Sequence, residues 1–304
     1  MVLQSSELIL NTDGSVYHLN LLPEDIADTI ILVGDPNRVS VVSKYFDYID
    51  VKKSKREFVT HTGVLNKKRI TVVGTGIGAG NIDIALNELD ALVNIDFQTR
   101  TIKEKIKKLQ FIRLGTAGAL HAHTPVDSLV ISSFAVGLDG MVSYYNWESH
   151  AAEAQLLSEC HHVFSKAPIS AAMYVASGAS SLISAFAVLG TVGITLTCPG
   201  FYGAQNRQLR APLSPVDLFS LIKQIQFRHQ LIINLEMETA AIYGMSRLLN
   251  HDACSISVIA ANRETKTFSK NVDEAIDRMI KKSLDIIVEL LPFSEEFSSL
   301  GDIE

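Results

Sequence analysis

Two carboxylates, Glu236 and Glu238, stand where a largely apolar lead-in, Ile232–Leu235, passes into a helical apolar pattern through Ala240, Ala241, Met245, Leu248 and Leu249. A desolvated carboxylate costs several kcal/mol unless it is paired or hydrogen-bonded. Two solutions fit such a position. Acids in the first turn of a helix meet its free N–H groups and the positive end of its dipole; alternatively, a carboxylate facing a pocket accepts hydrogen bonds from a polyhydroxylated ligand. Residues i and i+2 share a face on a strand but not on a helix, so the two acids at such a junction have different tasks.

Arginines and glycines form a second group. Buried-strand patterns end in Gly34-Asp35-Pro36-Asn37-Arg38, in Gly74-Thr75-Gly76-Ile77-Gly78-Ala79-Gly80, and in Arg113-Leu114-Gly115-Thr116-Ala117-Gly118. Open α/β sheets bind ligands beyond the carboxyl ends of their strands. Glycines there expose N–H groups to anions, and arginine forks match phosphate or carboxylate oxygens. Gly34, Arg38, Arg113 and Thr116 are therefore candidates for an anion site. The second turn also fits G-x-G-x-x-A with Asp96 downstream, the pattern of a dinucleotide site. Asp96, however, falls just past the predicted helix and not at the end of the next strand. A third group, Phe201-Tyr202-Gly203-Ala204-Gln205-Asn206-Arg207, closes a stretch without charged residues from Ala167 to Asn206. Its aromatic face can stack on a heterocycle, its carboxamide suits an amide edge such as that of uracil, and its guanidinium can stabilise negative charge on a carbonyl oxygen.

These groups need a scaffold. Strands are expected at Thr29–Val33, Glu57–Leu65, Arg69–Val73, Gln110–Leu114, Leu129–Val136, Ala171–Ala176, Gly193–Thr197 and Cys254–Ala260. Helices are expected at Val39–Tyr45, Ile82–Val93, Lys103–Lys108, Ser181–Leu189, Pro215–Phe227 and Val272–Leu291. The alternation predicts an α/β fold with a largely parallel sheet in one domain over residues 1–292, with 293–304 as a tail. A formal charge of −6 argues against nucleic acid as a partner. The apolar stretch Leu182–Cys198 is broken by Gly190 and Gly193 and followed by Pro199, which argues against a membrane span. Three cysteines without metal spacing and a start without a basic, apolar leader fit a cytoplasmic protein with reduced thiols.

GDPNR (34–38), REF (56–58), GTGIG (74–78), IRLGTAG (112–118), FYGAQNR (201–207) and NLEMETAA (234–241) occur in one order across nearly the whole chain. Together they resemble the nucleoside phosphorylase family, which includes purine nucleoside and uridine phosphorylases. That resemblance implies a three-layer α/β/α sandwich with a large mixed, partly barrel-like sheet. It implies phosphate on Gly34, Arg38, Arg113 and Thr116, joined by Arg56 from a neighbouring subunit. It also implies ribose held by Glu238 with Met237 and Glu236, and by His18 from across a homodimer that some relatives extend to a hexamer. F-Y-x-x-Q-x-R is the family's uracil signature. It implies Phe201 against the base, Gln205 on its O2/N3 side and Arg207 on O4, helped by Arg263. Asn262 stands where bacterial purine enzymes carry a proton-donating aspartate.

The activity so implied is reversible phosphorolysis of uridine, with phosphate as co-substrate and no metal. Some relatives hold a monovalent cation near the positions of Glu57, Ile77 and Asn81, but Asn81 replaces a small hydroxyl residue there. Asn37 and the run Gly78–Asn81 also depart from the family pattern, and Gly137–His150 differs from the bacterial enzymes of the family, which leaves its loop structure and the subunit assembly open. The competing activities are purine or broad-specificity phosphorolysis, hydrolysis by a nucleosidase, a dinucleotide-dependent reaction, and nucleoside binding without catalysis.

Overall fold

The computed structural model describes residues 2–165 and 173–290. Thr29–Val33 forms β1, an apolar strand buried along its whole length, as expected of a strand covered on both faces. Helix α1 (Arg38–Ser43) leads into a meander of β2 (Tyr48–Lys55), β3 (Phe58–Leu65) and β4 (Lys68–Gly74), and α2 (Ala79–Asn94) follows. A small separate ladder pairs β5 (Ile95–Asp96) with β6 (Thr101–Ile102). The chain continues through β7 (Gln110–Ala119), β8 (Leu129–Gly137), α3 (Ala151–Phe164), β9 (Tyr174–Ser177), α4 (Ser180–Phe186), β10 (Thr191–Thr197) and α5 (Leu218–Ile222). It closes with β11 (Gln226–Phe227), β12 (Gln230–Glu236), α6 (Thr239–Leu248), β13 (Asp252–Asn262), β14 (Thr267–Phe268) and α7 (Val272–Leu290).

The main sheet runs β11-β12-β10-β8-β13-β7-β1-β4-β3-β2, and a further β12–β7 pairing closes five of these strands into a ring. The sheet is therefore mixed and partly barrel-like, not largely parallel. Pairs β1–β4, β1–β7, β7–β13, β8–β10 and β10–β12 are parallel, whereas the β2–β3–β4 meander, β8–β13 and β7–β12 are antiparallel. Apolar runs mark burial on both faces but carry no information on how a sheet closes on itself. One face is covered by α2 and α6, the other by α1, α4 and α7, and α3 and α5 shield a third cluster at the barrel end. In α7, Ala275, Ile276, Met279, Ile280, Leu284 and Ile287 are buried at helical spacing, so this helix is held by its apolar stripe.

Several expected elements differ. Lys103–Lys108 is an extended connection, not a helix: the Lys103 ammonium donates to the Val93 carbonyl at 2.9 Å, and Lys107 and Lys108 pair with Asp28 and Asp252. These lysines are spent on neighbouring elements. Within Pro215–Phe227 only Leu218–Ile222 is α-helical, started by the Asp217 carboxylate on the Ser220 amide. Arg228 and His229, both with positive φ, then turn the chain into a β11–β12 hairpin. Asp96 sits in the small β5–β6 ladder, and its carboxylate accepts the Gln98 and Thr99 amides. It is thus not the acidic end of a second sheet strand, and the dinucleotide reading loses its defining residue. Of Ala171–Ala176, only the part from Met173 onwards lies in the described residues; 293–304 lies outside them. Among the described residues no helix is long and apolar enough to cross a membrane. Cys160, Cys198 and Cys254 are free and buried, and burial pushes the thiols of Cys160 and Cys254 up to about 12, which removes them as nucleophiles.

Helix α3, absent from the expected elements, is tied to the site-bearing helix α6 by one buried acid. Glu153 accepts the Ser177 amide and hydroxyl, the His150 amide and the Arg247 guanidinium, and that guanidinium stacks 3.6 Å from the Trp147 ring. Burial opposes charge on Glu153, but Arg247 and Ser177 outweigh it and hold the carboxyl below its ordinary range. The folded state then binds this proton less readily than the unfolded chain. The stabilisation is complete above the ordinary glutamate range and fades as pH falls through the lowered folded value. Glu153→Gln should lower the unfolding free energy at neutral pH by about 2 kcal/mol, less than a fully buried pair because Arg247 is partly exposed. It should also flatten the acid dependence. Urea titrations at neutral pH and in acid check this; unchanged acid sensitivity would remove Glu153 as its source.

Candidate active site

A cavity of about 690 Å³ opens at the carboxyl ends of the central strands and brings together the Gly34 turn, the Gly76 turn, Arg113–Gly118, the 201–207 loop and Glu236–Glu238. A smaller cavity of about 280 Å³ lies at the amino ends of β8 and β10, beside Leu129, Thr191 and Arg278. Ligand sites in α/β sheets form at the carboxyl ends, so the larger cavity is the candidate.

Arg113 is its centre. The side chain is buried on β7 and folds back along its own strand: a β-carbon at Gly115 would lie 2.0 Å from Arg113 Nη1. Residues i and i+2 share a strand face, so Gly115 is the space that the guanidinium occupies. A glycine at such a turn can expose its N–H group to an anion; here the missing side chain is what counts. Nη2 lies 2.6 Å from Glu238 Oε2 and 3.0 Å from Glu236 Oε2. Nη1 donates to Ser257 Oγ at 3.2 Å and to Ser255 Oγ at 3.5 Å. Burial works against the charge of Arg113, yet the two carboxylates more than offset it and hold the guanidinium above its ordinary value.

The two acids divide as the i, i+2 argument requires. Glu236, at the end of β12, turns Oε2 onto the Glu238 and Thr239 amides, both at 2.9 Å, while its Oε1 accepts the Thr197 hydroxyl at 2.6 Å. It satisfies the start of α6. Glu238 instead accepts the Gly78 amide at 2.9 Å on Oε1 and Arg113 on Oε2. Gly78 has a φ of +93°, a conformation that suits glycine and aims its N–H at the acid. Burial raises the Glu238 carboxyl, Arg113 pulls it down and Glu236 pushes it up again, with a net upward shift. Met237 lines the cavity between them.

Arg38, the first residue of α1, reaches across to donate to the Leu114 carbonyl at 3.3 Å; burial and then Arg113 lower its pKa. Gly34 and Thr116 line the same side. At the other side, Gln205 is buried, and its Oε1 accepts Arg207 Nη1 at 2.5 Å. The same Nη1 donates to the Phe201 carbonyl at 2.8 Å, and the guanidinium lies 3.9 Å from the Phe201 ring centroid. Burial, with Arg263 adding to it, lowers Arg207 to about 10.

Arg263 stands behind this loop, with Nη1 on the Gln205 carbonyl at 3.2 Å and Nη2 on the Asn206 carbonyl at 3.4 Å. It tethers the loop. If Gln205 contacts one ligand and Arg38 another, Arg263→Ala should raise the KM of the first roughly tenfold, the scale of losing a charge-assisted hydrogen bond, and leave that of the second unchanged. Equal effects on both would contradict the tether. The Asn262 amide is spent in a turn: Nδ2 donates to the His121 and Thr124 carbonyls and Oδ1 accepts the Glu264 and Thr265 amides.

His18 and Arg56 lie outside the cavity lining, each against the Tyr17 ring. His18 Nδ1 meets Glu88 Oε1 at 2.7 Å, and that carboxylate also takes the His18 and Leu19 amides. With Nδ1 donating, Nε2 is the acceptor of the neutral ring. Arg56, at the β2–β3 turn with a φ of +53°, reaches the Tyr17 hydroxyl at 3.4 Å. Glu57, Ile77 and Asn81 line the cavity. Ser255 and Ser257 were missed in the sequence, and Gly115 stood there only as a turn glycine; the i, i+2 relation of Arg113 to Gly115 was the available signal for its second task.

A sequence model of the phosphorylase superfamily matches residues 28–292. The chain is 28% identical to a uridine phosphorylase of Thermococcus kodakarensis, covering 94% of this chain and 91% of that one. It is 27% identical to a uridine phosphorylase of Haemophilus influenzae, covering 90% and 96%. A solved structure, a nucleoside phosphorylase of Trypanosoma brucei described as showing uridine phosphorylase activity, superposes with a TM-score of 0.84 at 27% identity, over 92% of this chain and 99% of that one.

Proposed function

The chain belongs to the phosphorylase superfamily, and on that footing we propose that it is a uridine phosphorylase, converting uridine and phosphate reversibly to uracil and ribose 1-phosphate. One observation carries the reading: the Gln205–Arg207 pair under Phe201 shares a single cavity with Arg38, Arg113 and Glu238. In this reading these residues supply a base-reading group, a ribose-binding acid and an anion site to one cavity.

In this reading phosphate lies on Arg38, Arg113, Gly34 and Thr116, completed by Arg56 of the partner subunit. Glu238 accepts the ribose hydroxyls, with Met237 packed beside it, while Glu236 supports the helix start. His18 of the partner subunit offers Nε2 to the 5′-hydroxyl. The placement of His18 and Arg56 against Tyr17, outside their own cavity lining, suits residues that serve a neighbour. As the C1′–N1 bond breaks, positive charge grows on the ribose and the bond pair passes to uracil N1. Phosphate is already anionic and needs no base to attack C1′; the arginines hold it in line, which supplies the proximity effect. Arg207 and Gln205 stabilise the departing uracil anion, which takes a proton after release. The chemistry calls for no metal step. The catalytic unit is one domain over 1–292, working as a cytoplasmic homodimer.

The Asn262 contacts disfavour the purine alternative, because an amide spent in a turn provides no acid for a purine ring. The test is a panel of uridine, thymidine, inosine and adenosine, with and without phosphate, read as free base. Phosphate-dependent release of uracil is expected. Release from inosine alone would select a purine enzyme, release without phosphate a nucleosidase, and binding without turnover a non-catalytic protein.

A further inference from the structure

Arg113 is gripped from two edges, and only one of them belongs to the ligand contacts above. On the other, Ser255 and Ser257 are fully buried on β13, facing Arg113 and Gly115 in the parallel β7–β13 register. They alternate with Ile256 and Val258, so two hydroxyls stand on the one face of a buried strand that meets the guanidinium. A buried hydroxyl without a partner is costly, and here the partner is Nη1 of Arg113. The carboxylates on Nη2 would by themselves draw the guanidinium towards Glu238. The hydroxyls hold the opposite edge, and being neutral they fix its direction without cancelling the charge a dianion needs. Ser255 Oγ also lies 2.9 Å from Thr239 Oγ1, at the first residue of α6 after Glu238, which joins the position of Arg113 to that of the acid.

We propose that Ser257, backed by Ser255, is a positioning residue that orients Arg113 towards phosphate and limits its attachment to Glu238. The proposal rests on the phosphorolysis reading. Ser257→Ala should raise the phosphate KM roughly tenfold, the scale of one hydrogen bond to a charged group, while the uridine KM stays near the wild-type value. Ser255→Ala, whose hydroxyl is farther away, should do less. In an Arg113→Lys background the effect of Ser257→Ala should vanish, which a packing defect would not do. Calorimetric titration with inorganic phosphate gives the same comparison without turnover. An unchanged phosphate KM would overturn the proposal. So would parallel shifts in kcat and both KM values, with a lowered Tm, that persist beside Arg113→Lys. A wild-type enzyme indifferent to phosphate would sink the phosphorolysis reading itself, and that result is visible before any variant is compared.

Discussion

Glu238→Gln is expected to reduce kcat/KM for uridine roughly a thousandfold, because two charge-assisted hydrogen bonds to the ribose hydroxyls at about 2 kcal/mol each are weakened together. The amide keeps the shape of the acid but cannot serve both of its fixed partners. If its oxygen accepts the Gly78 amide as Oε1 does now, its NH₂ group points at Arg113 Nη2, donor against donor. Arg113 retains Glu236 at 3.0 Å, so the fold should persist with a modest loss of Tm. The pH dependence offers a second reading. Burial, with Glu236 adding to it, raises the Glu238 carboxyl, so protonation begins at higher pH than for an ordinary glutamate. The wild-type acid limb of kcat/KM should lie above the usual carboxylate range, with activity falling as pH drops through it, and the Gln variant should lack that limb. A near-normal rate for the variant would remove Glu238 as the ribose clamp.

The difference between Glu236 and Glu238 also shows what the sequence can and cannot reveal. The i, i+2 spacing at a strand–helix junction says that the two acids diverge, but not which one caps the helix; that depends on Thr197 and Gly78, far away in the chain. Buried strands such as β1 and the stripe of α7 were legible because burial on a regular period leaves an apolar pattern. Strand β2 was not. Its residues alternate between exposed and half-buried at the sheet edge, and the Lys52–Arg56 cluster reads equally well as a solvated surface. Ring closure by β7 and β12 was hidden because a strand's partners do not alter its own pattern. The site turns were legible as anion-binding chemistry. Their interlocking was not: Gly115 makes room for Arg113, Ser257 steadies it and Gly78 feeds Glu238, all contacts between residues whose types alone suggest ordinary turns and core.

Arg207→Ala is expected to lower kcat for uridine by roughly 10²–10³-fold, the usual effect of removing one donor to a developing oxyanion, with a smaller change in KM. Burial first, and then nearby Arg263, lower the pKa of the guanidinium to about 10, so its charge is incompletely solvated and lacks a counter-charge. A departing uracil anion supplies that counter-charge, and neutral bound uridine does not, so the interaction strengthens in the transition state. The arginine also orients Gln205: with Oε1 turned to Nη1, Nε2 is left to donate to uracil O2, and the second Oε1 lone pair is left for N3–H. Alanine therefore removes both the charge and the order of the base-reading amide, and uracil should lose its advantage over other bases in the substrate panel. Arg207→Lys, which keeps the charge without the fork, should fall between the two. Uridine kinetics indifferent to the loss of Arg207 would place the base elsewhere in the cavity.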